Sequence, residues 1–173
     1  MRRVRYSVAA SLDGFIAGPD GEYDWIPMDP TIDFAAFYST IDTVLMGRGT
    51  YEIVQMQKEQ GKGQEVGPRS YVFSRKLKQE DHPDVTIVAD DAAGTVARLR
   101  AEAGKDIWLM GGGVLFRSLV DANVVDTVEI GIVPILLGGG IPLFPPGATR
   151  AKLAYVKSET FPSGIILARY NVV

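Results

Sequence analysis

The segment that most constrains this chain is Ile107-Trp108-Leu109-Met110-Gly111-Gly112-Gly113-Val114-Leu115-Phe116, an apolar strand that runs into three glycines and then opens an amphipathic helix. Glycines let the backbone turn tightly and approach a ligand closely, and the free N–H groups of a helix start favour an anion. The turn therefore reads as a pyrophosphate cradle, with a plain tight turn as the alternative. It is not the G-x-G-x-x-G dinucleotide fingerprint, which also needs an acid about 20 residues on to hold a ribose. The nearest acids, Asp126 and Glu129, fall in what reads as the next strand.

The rest of the chain supplies partners for that unit. Val4 to Ala10 reads as a buried first strand ending at the turn Ser11-Leu12-Asp13-Gly14. A loop rich in Gly, Pro and Asp follows, then a short helix from near Thr31 and a second buried strand, Thr43 to Met46. Thr50 is the expected N-cap of a helix through about Gln57, before a loop with Gly61, Gly63, Gly67 and Pro68. Tyr71 to Phe73 and Val85 to Val88 read as strands, and Asp91 to Ala103 as a helix ended by Gly104. After the glycine triplet, Val125 to Val133, Leu153 to Ser158 and Ile165 to Val172 read as strands. Strands alternating with helices imply an α/β domain with a largely parallel central sheet covered on both faces. The helix-free final third implies antiparallel strands at one edge. Residues 1–173 form a single domain on this reading, and ligands of such sheets sit outside the carboxyl ends of the strands. The turns after Ala10, Met46 and Met110 all fall at such ends.

Composition excludes several chemistries. The chain has no cysteine and a single histidine, His82, which rules out a thiolate nucleophile, a cysteine metal site or a multi-histidine metal site. A net charge of −3 argues against a nucleic-acid surface, and no apolar run approaches the roughly 18 residues of a membrane span. The basic start Met1 to Tyr6 is followed at once by Ser11, Asp13 and Gly14, so no secretory signal is read and a cytoplasmic location is expected. His82 lies in a polar loop and reads as exposed and inert.

Longer stretches then carry a resemblance. Ser11-Leu12-Asp13-Gly14-x-x-Ala17 with Gly21-Glu22-x-x-Trp25-Ile26 resembles the start of the reductase domain of the riboflavin-pathway bifunctional deaminase-reductase. Pro134-Ile135-Leu136-Leu137-Gly138-Gly139-Gly140-Ile141-Pro142-Leu143-Phe144 is similar to the same family. Met46-Gly47-Arg48-Gly49-Thr50-Tyr51-Glu52 looks like the cofactor turn of dihydrofolate reductases, and the glycine triplet is shared by both. The chain thus resembles the dihydrofolate-reductase-like superfamily, in its stand-alone riboflavin-reductase-like branch. That resemblance implies NADPH-dependent reduction of a small heterocycle, in a likeness of 5-amino-6-(5-phosphoribosylamino)uracil reductase, by a homodimer joined through its last strands.

Carried onto this sequence, the resemblance puts Ala9, Ile16 and Ala17 beside the nicotinamide, and Gly47, Arg48, Gly49 and Thr50 at the phosphates. Ser74 and Arg75 would meet the adenosine 2′-phosphate, and Met110, Gly111, Gly112, Gly113, Val114, Leu115 and Phe116 would line the cofactor. Arg48 and Arg75 offer planar, permanently charged forks that suit a phosphate and favour NADPH over NADH. Val114 departs from the arginine that many dihydrofolate reductases carry there.

Hydride transfer is the cofactor's chemistry, so the protein must align the acceptor carbon and manage one proton. Asp33, followed by Phe34 and Phe37, resembles the substrate-binding carboxylate of bacterial dihydrofolate reductases, whose pKa desolvation would raise. A first-turn helix acid is the alternative. Asp13 is the second candidate acid, or simply part of a turn. Trp25 and Phe37 are candidate substrate contacts, and Gly138 to Gly140 reads as a structural turn. Dihydrofolate reduction and a non-catalytic nucleotide-binding dimer are the competing functions.

Overall fold

The computed structural model describes residues 1–61, 69–147 and 150–173. Its strands are β1 (Val4–Ser11), β2 (Phe15–Ala17), β3 (Ile41–Gly47), β4 (Arg69–Phe73), β5 (Thr86–Val88), β6 (Asp106–Gly111), β7 (Thr127–Val133), β8 (Ile141–Pro142), β9 (Leu153–Thr160) and β10 (Ile166–Val172). Its helices are α1 (Phe34–Ser39), α2 (Arg48–Glu59), α3 (Ala92–Ala101) and α4 (Gly113–Asp121). Eight strands form one sheet in the order β5-β4-β3-β6-β1-β7-β10-β9, and β2 pairs with β8 in a separate ribbon. Strands β5 through β7 run parallel, whereas β10 is antiparallel to β7 and to β9. This is the α/β architecture expected from the alternating pattern.

Side chains on a strand alternate between faces, so each central strand serves two cores. Tyr6, Leu45, Ile107 and Leu109 point to one face, under Val96 and Leu99 of α3 and Leu115, Phe116 and Leu119 of α4. Val44, Met46 and Val72 point to the other, against Tyr51 of α2, with Trp108 and Met110 packed beside them. Tyr6 stacks on Phe116 with ring centroids 3.7 Å apart, and burial pushes its phenol pKa up. On the second face α1 sits over the middle of the sheet, where Phe37 meets Trp108 edge-on at 5.3 Å.

Several boundaries differ from the sequence expectation. Thr50 is not an N-cap: β3 runs on to Gly47, which caps α2, and the helix begins at Arg48. The first helix starts at Phe34 rather than near Thr31, because Asp29 accepts hydrogen bonds from the Thr31 amide and hydroxyl while Asp33 caps Ala36. Helix α3 stops at Ala101 with an extended Glu102, and Gly104 (φ +152°) instead packs against Asp42 and Arg2. The β2–β8 ribbon was not foreseen: its strands are too short for a periodic signal and pair residues far apart in sequence. Of the expected glycine loop after α2, Gly61 is a positive-φ turn, while Gly63, Gly67 and Pro68 lie outside the described residues.

Helices cover both faces only part of the way across. The face of β7 and β10 that carries Glu129 and Arg169 lines an open cleft together with Gly131, Leu167 and Asn171. That face is left open beside α1.

Candidate functional site

A cleft of about 2090 Å³ follows the carboxyl ends of β1, β3, β4 and β6 and continues down the uncovered sheet face. Its outer half is built by two helix starts. The caps of α2 and α4 are Gly47 and Gly112, and neither helix has a side-chain cap. First-turn amides of a helix lack intrahelical acceptors and carry the positive end of its dipole. Met46 lies in register with Gly111, so the two starts are neighbours. A Cβ on Gly112 would come 3.7 Å from the Gly47 Cα, one on Gly111 would lie 3.0 Å from Thr50 Oγ1, and one on Gly113 only 2.5 Å from the Pro142 carbonyl oxygen. With its φ of +96°, Gly112 is also in a region that L side chains avoid. The two neighbouring helix starts leave unpaired backbone amides on the cleft wall, a place that could hold an anionic group.

Charged groups at its rim are held loosely. Arg48 pairs with Glu52 at 2.9 Å, one helical turn on, and Arg75 lies 3.5 Å from Asp90 with its side chain 85 % exposed. Ser74 Oγ accepts from the Lys76 and Leu77 amides, and Val114 is 76 % exposed. Ala9, Ile16, Ala17, Gly47, Arg48, Gly49, Thr50, Ser74, Arg75 and residues 110–115 all border the cleft. Phe116 does not; it is buried in the core on Tyr6.

The inner half has a polar floor that the sequence reading did not anticipate. Arg5 on β1 donates Nε and Nη2 to the two oxygens of Glu129 on β7, at 2.7 and 3.1 Å, and Arg169 on β10 donates Nη2 to Glu129 Oε2 at 3.0 Å. Nη1 of Arg5 also reaches Thr40 Oγ1 at 2.9 Å and Asp106 Oδ2 at 3.4 Å. Burial lowers the Arg5 pKa, but the hydrogen bonds and charges of Glu129 and Asp106 outweigh it, so the net direction is up. The available signal was a single charged residue in each of three strands, Arg5 in β1, Glu129 in β7 and Arg169 in β10. Phe37 stands over Arg5, its centroid 4.9 Å from the guanidinium carbon.

The two candidate acids sit differently. Asp33 borders the cleft but is exposed, and its Oδ1 accepts from the Ala36 amide at 2.8 Å as the cap of α1. The burial that sequence reasoning assumed for it is absent, because α1 has only six residues and lies at the rim. Asp13 falls outside the cleft wall and accepts from the amides of Leu137 and Gly138 at 3.1 and 2.7 Å. Its pKa is lowered, first by a hydrogen bond from Ser11 and then by those amides. Trp25 is also outside the cleft wall, with Nε1 donating to the Glu22 carbonyl at 3.1 Å. His82 is half-buried rather than exposed, because its Nδ1 lies 3.0 Å from the Tyr51 hydroxyl. Buried Asp29 ties the front loop to the β9–β10 turn by accepting from the Ser163 amide at 2.9 Å. Hydrogen bonds from Ser163 and Thr31 hold its carboxyl well below the usual range.

Sheet order, paired glycine turns and the open inner floor together define a reductase-like α/β domain of the dihydrofolate-reductase type. More narrowly, the chain belongs to the RibD C-terminal domain family, whose profile matches residues 2–167. It is similar to the uncharacterized protein YyaP of Bacillus subtilis, at 34% identity over 98% of this chain and 95% of that protein. It also matches the riboflavin biosynthesis protein RibD of Corynebacterium ammoniagenes at 27% identity, covering 80% of this chain but 44% of that longer protein. Among solved structures, a Shewanella sp. PV-4 protein provisionally named for riboflavin biosynthesis superposes with a TM-score of 0.83 at 27% identity, covering 100% of this chain and 99% of that one. A deaminase/5-amino-6-(5-phosphoribosylamino)uracil reductase of Thermotoga maritima shares the fold, with a TM-score of 0.71 at 20% identity, over 99% of this chain and 57% of that one.

Proposed function

We propose that the cleft binds NADPH across the glycine turns and delivers hydride to a pyrimidine or pterin-like heterocycle on the inner floor. The reaction is most like that of a 5-amino-6-(5-phosphoribosylamino)uracil reductase. One observation carries the reading: two helices with no side-chain cap start side by side at Gly47 and Gly112 on the cleft wall. The bound cofactor would supply the hydride, leaving the protein to position and to manage a proton. Small residues Ala9 and Ala17 let a ring approach β1, and Asp33 offers an exposed carboxylate at the wall beside Phe37. Arg48 and Arg75 can leave their exposed carboxylate partners for a 2′-phosphate at little expense, since such surface pairs contribute little. Because Asp33 and Phe37 share that wall, dihydrofolate is the second acceptor to try.

The test is a titration with NADPH, NADH and a flavin, followed by NADPH oxidation with candidate acceptors. NADPH should bind most tightly, and Arg48→Ala should weaken NADPH far more than NADH. Equal losses would remove the 2′-phosphate contact; tighter flavin binding, or cofactor binding without turnover on any acceptor, would overturn the reductase reading. A second copy of the chain is the expected partner. β9 is an eight-residue edge strand with Leu153, Tyr155 and Val156 exposed, and such an edge invites pairing. Sedimentation at a monomer's mass would count against it.

A further inference from the structure

The inner half of the cleft holds its charges in balance. Arg5 and Arg169 face Glu129 and Asp106, two cations against two carboxylates. Arg5 is committed on both edges of its fork, and Glu129 accepts from both guanidiniums while only 2 % exposed. A phosphate ester entering here would meet Glu129 as a like charge and would have to strip Arg5 from a buried bidentate partner. Breaking such a pair without replacing it is strongly unfavourable. Arg3, just before β1, is exposed, and it lies two residues, about 7 Å, further from the carboxyl end than Arg5. A phosphate held there stays hydrated and gains little. What the inner half does offer is aromatic surface: Phe37 and Tyr38 stand against Trp108 at 5.3 and 5.8 Å.

We propose that Glu129 is a specificity-determining residue that keeps the inner cleft electrically neutral, so that the substrate is an uncharged planar heterocycle carrying no phosphate ester. The proposal rests on the reductase reading for the identity of this half as the substrate side. It departs from a phosphoribosyl substrate while keeping the reaction class. Its mechanism is electrostatic exclusion. A neutral ring can lie on the aromatic wall without disturbing the ion pairs, whereas an anion is repelled by Glu129 and finds Arg5 already engaged.

Calorimetric titration with ribose 5-phosphate, as a probe carrying only the sugar phosphate, tests this on the folded protein. Glu129→Gln keeps the side chain's shape and leaves two guanidiniums without their shared carboxylate. It should bind the probe at least about tenfold more tightly than the wild type, as expected when a charged hydrogen bond becomes available. Any binding at the outer glycine turns is a second site common to both proteins and is fitted as such, so that the ratio compares the inner site alone. A ratio under about twofold, or strong binding by the wild type itself, overturns the proposal. If Glu129→Gln does not fold, Asp106→Asn, at a partly exposed carboxylate, leaves two cations against one carboxylate and is judged by the same ratio. NADPH binding measured alongside tests the cofactor reading separately: its failure with a tenfold probe ratio condemns the reductase assignment and leaves the exclusion of phosphate standing.

Discussion

Replacing Gly113 with alanine tests the glycine cradle most directly. The added Cβ would stand 2.5 Å from the Pro142 carbonyl oxygen and 3.1 Å from both the Leu143 carbonyl oxygen and Pro145 Cδ. None of these atoms is the free end of a flexible side chain. Pro142 pairs with Phe15 in the β2–β8 ribbon, and the Leu143 amide donates to the Gly14 carbonyl at 2.9 Å, so this segment is pinned. Reaching an ordinary contact of 3.4 Å from 2.5 Å requires a displacement of about 0.9 Å, which the start of α4 must absorb. Overpacking of this kind costs about 1–3 kcal/mol, offset by about 0.4–1 kcal/mol from the reduced freedom of the unfolded chain. The net is roughly 1–2 kcal/mol of destabilisation, or a drop in Tm of about 2–8 °C for a chain of this size. The same displacement shifts the amides that the proposed function sets against the phosphates, so NADPH affinity should fall about tenfold if one charged hydrogen bond is lost. Thermal unfolding and a cofactor titration read the two effects, with exposed Val114→Ala as a control expected within about 0.5 kcal/mol of wild type. A Gly113→Ala protein with unchanged Tm and unchanged NADPH affinity would refute the reasoning.

Other outcomes follow from the same structure. Glu129→Gln should lower stability by about 3 kcal/mol in chemical denaturation, at the low end for a broken buried pair because Asp106 stays near Arg5; a loss under about 1 kcal/mol would show that the pair is not effectively buried. Asp29 has a folded pKa depressed below the unfolded value of about 3.9, so its contribution is fully present above that pH and is lost as pH falls toward the folded value. Asp29→Asn should therefore flatten the acid limb of the stability–pH curve, and an unaltered limb would contradict the anchoring role. Asp33→Asn preserves a good N-cap, so the protein should keep its stability and NADPH affinity while losing most turnover. Unchanged turnover removes Asp33 from the chemistry.

The fold and the glycine turns were largely legible along the chain, and the polar inner floor was not. The strand–glycine–helix units at Gly47 and Gly111 to Gly113 announce themselves locally, because a tight turn and an apolar run are properties of consecutive residues. Boundaries failed where a distant or competing hydrogen bond decided them. Thr50 reads as a cap, yet β3 extends to Gly47 and takes that role away. Trp25 and Asp13 sit in a stretch that resembles a ligand-binding loop, yet Trp25 Nε1 closes a local turn and Asp13 holds the distant Leu137 and Gly138 amides.

By itself the amino-acid sequence determined the alternation of strands and helices, the antiparallel ending and the two glycine-lined helix starts, since each follows from the period of apolar residues or from a run of glycines. Only the tertiary structure decided that Arg5, Glu129 and Arg169 form one cluster. The first two are 124 residues apart and the last two 40, and they meet because the strand order places β1, β7 and β10 side by side with these side chains on the same face. Lateral strand order is a property of the whole sheet, and it is what makes the inner floor polar and neutral.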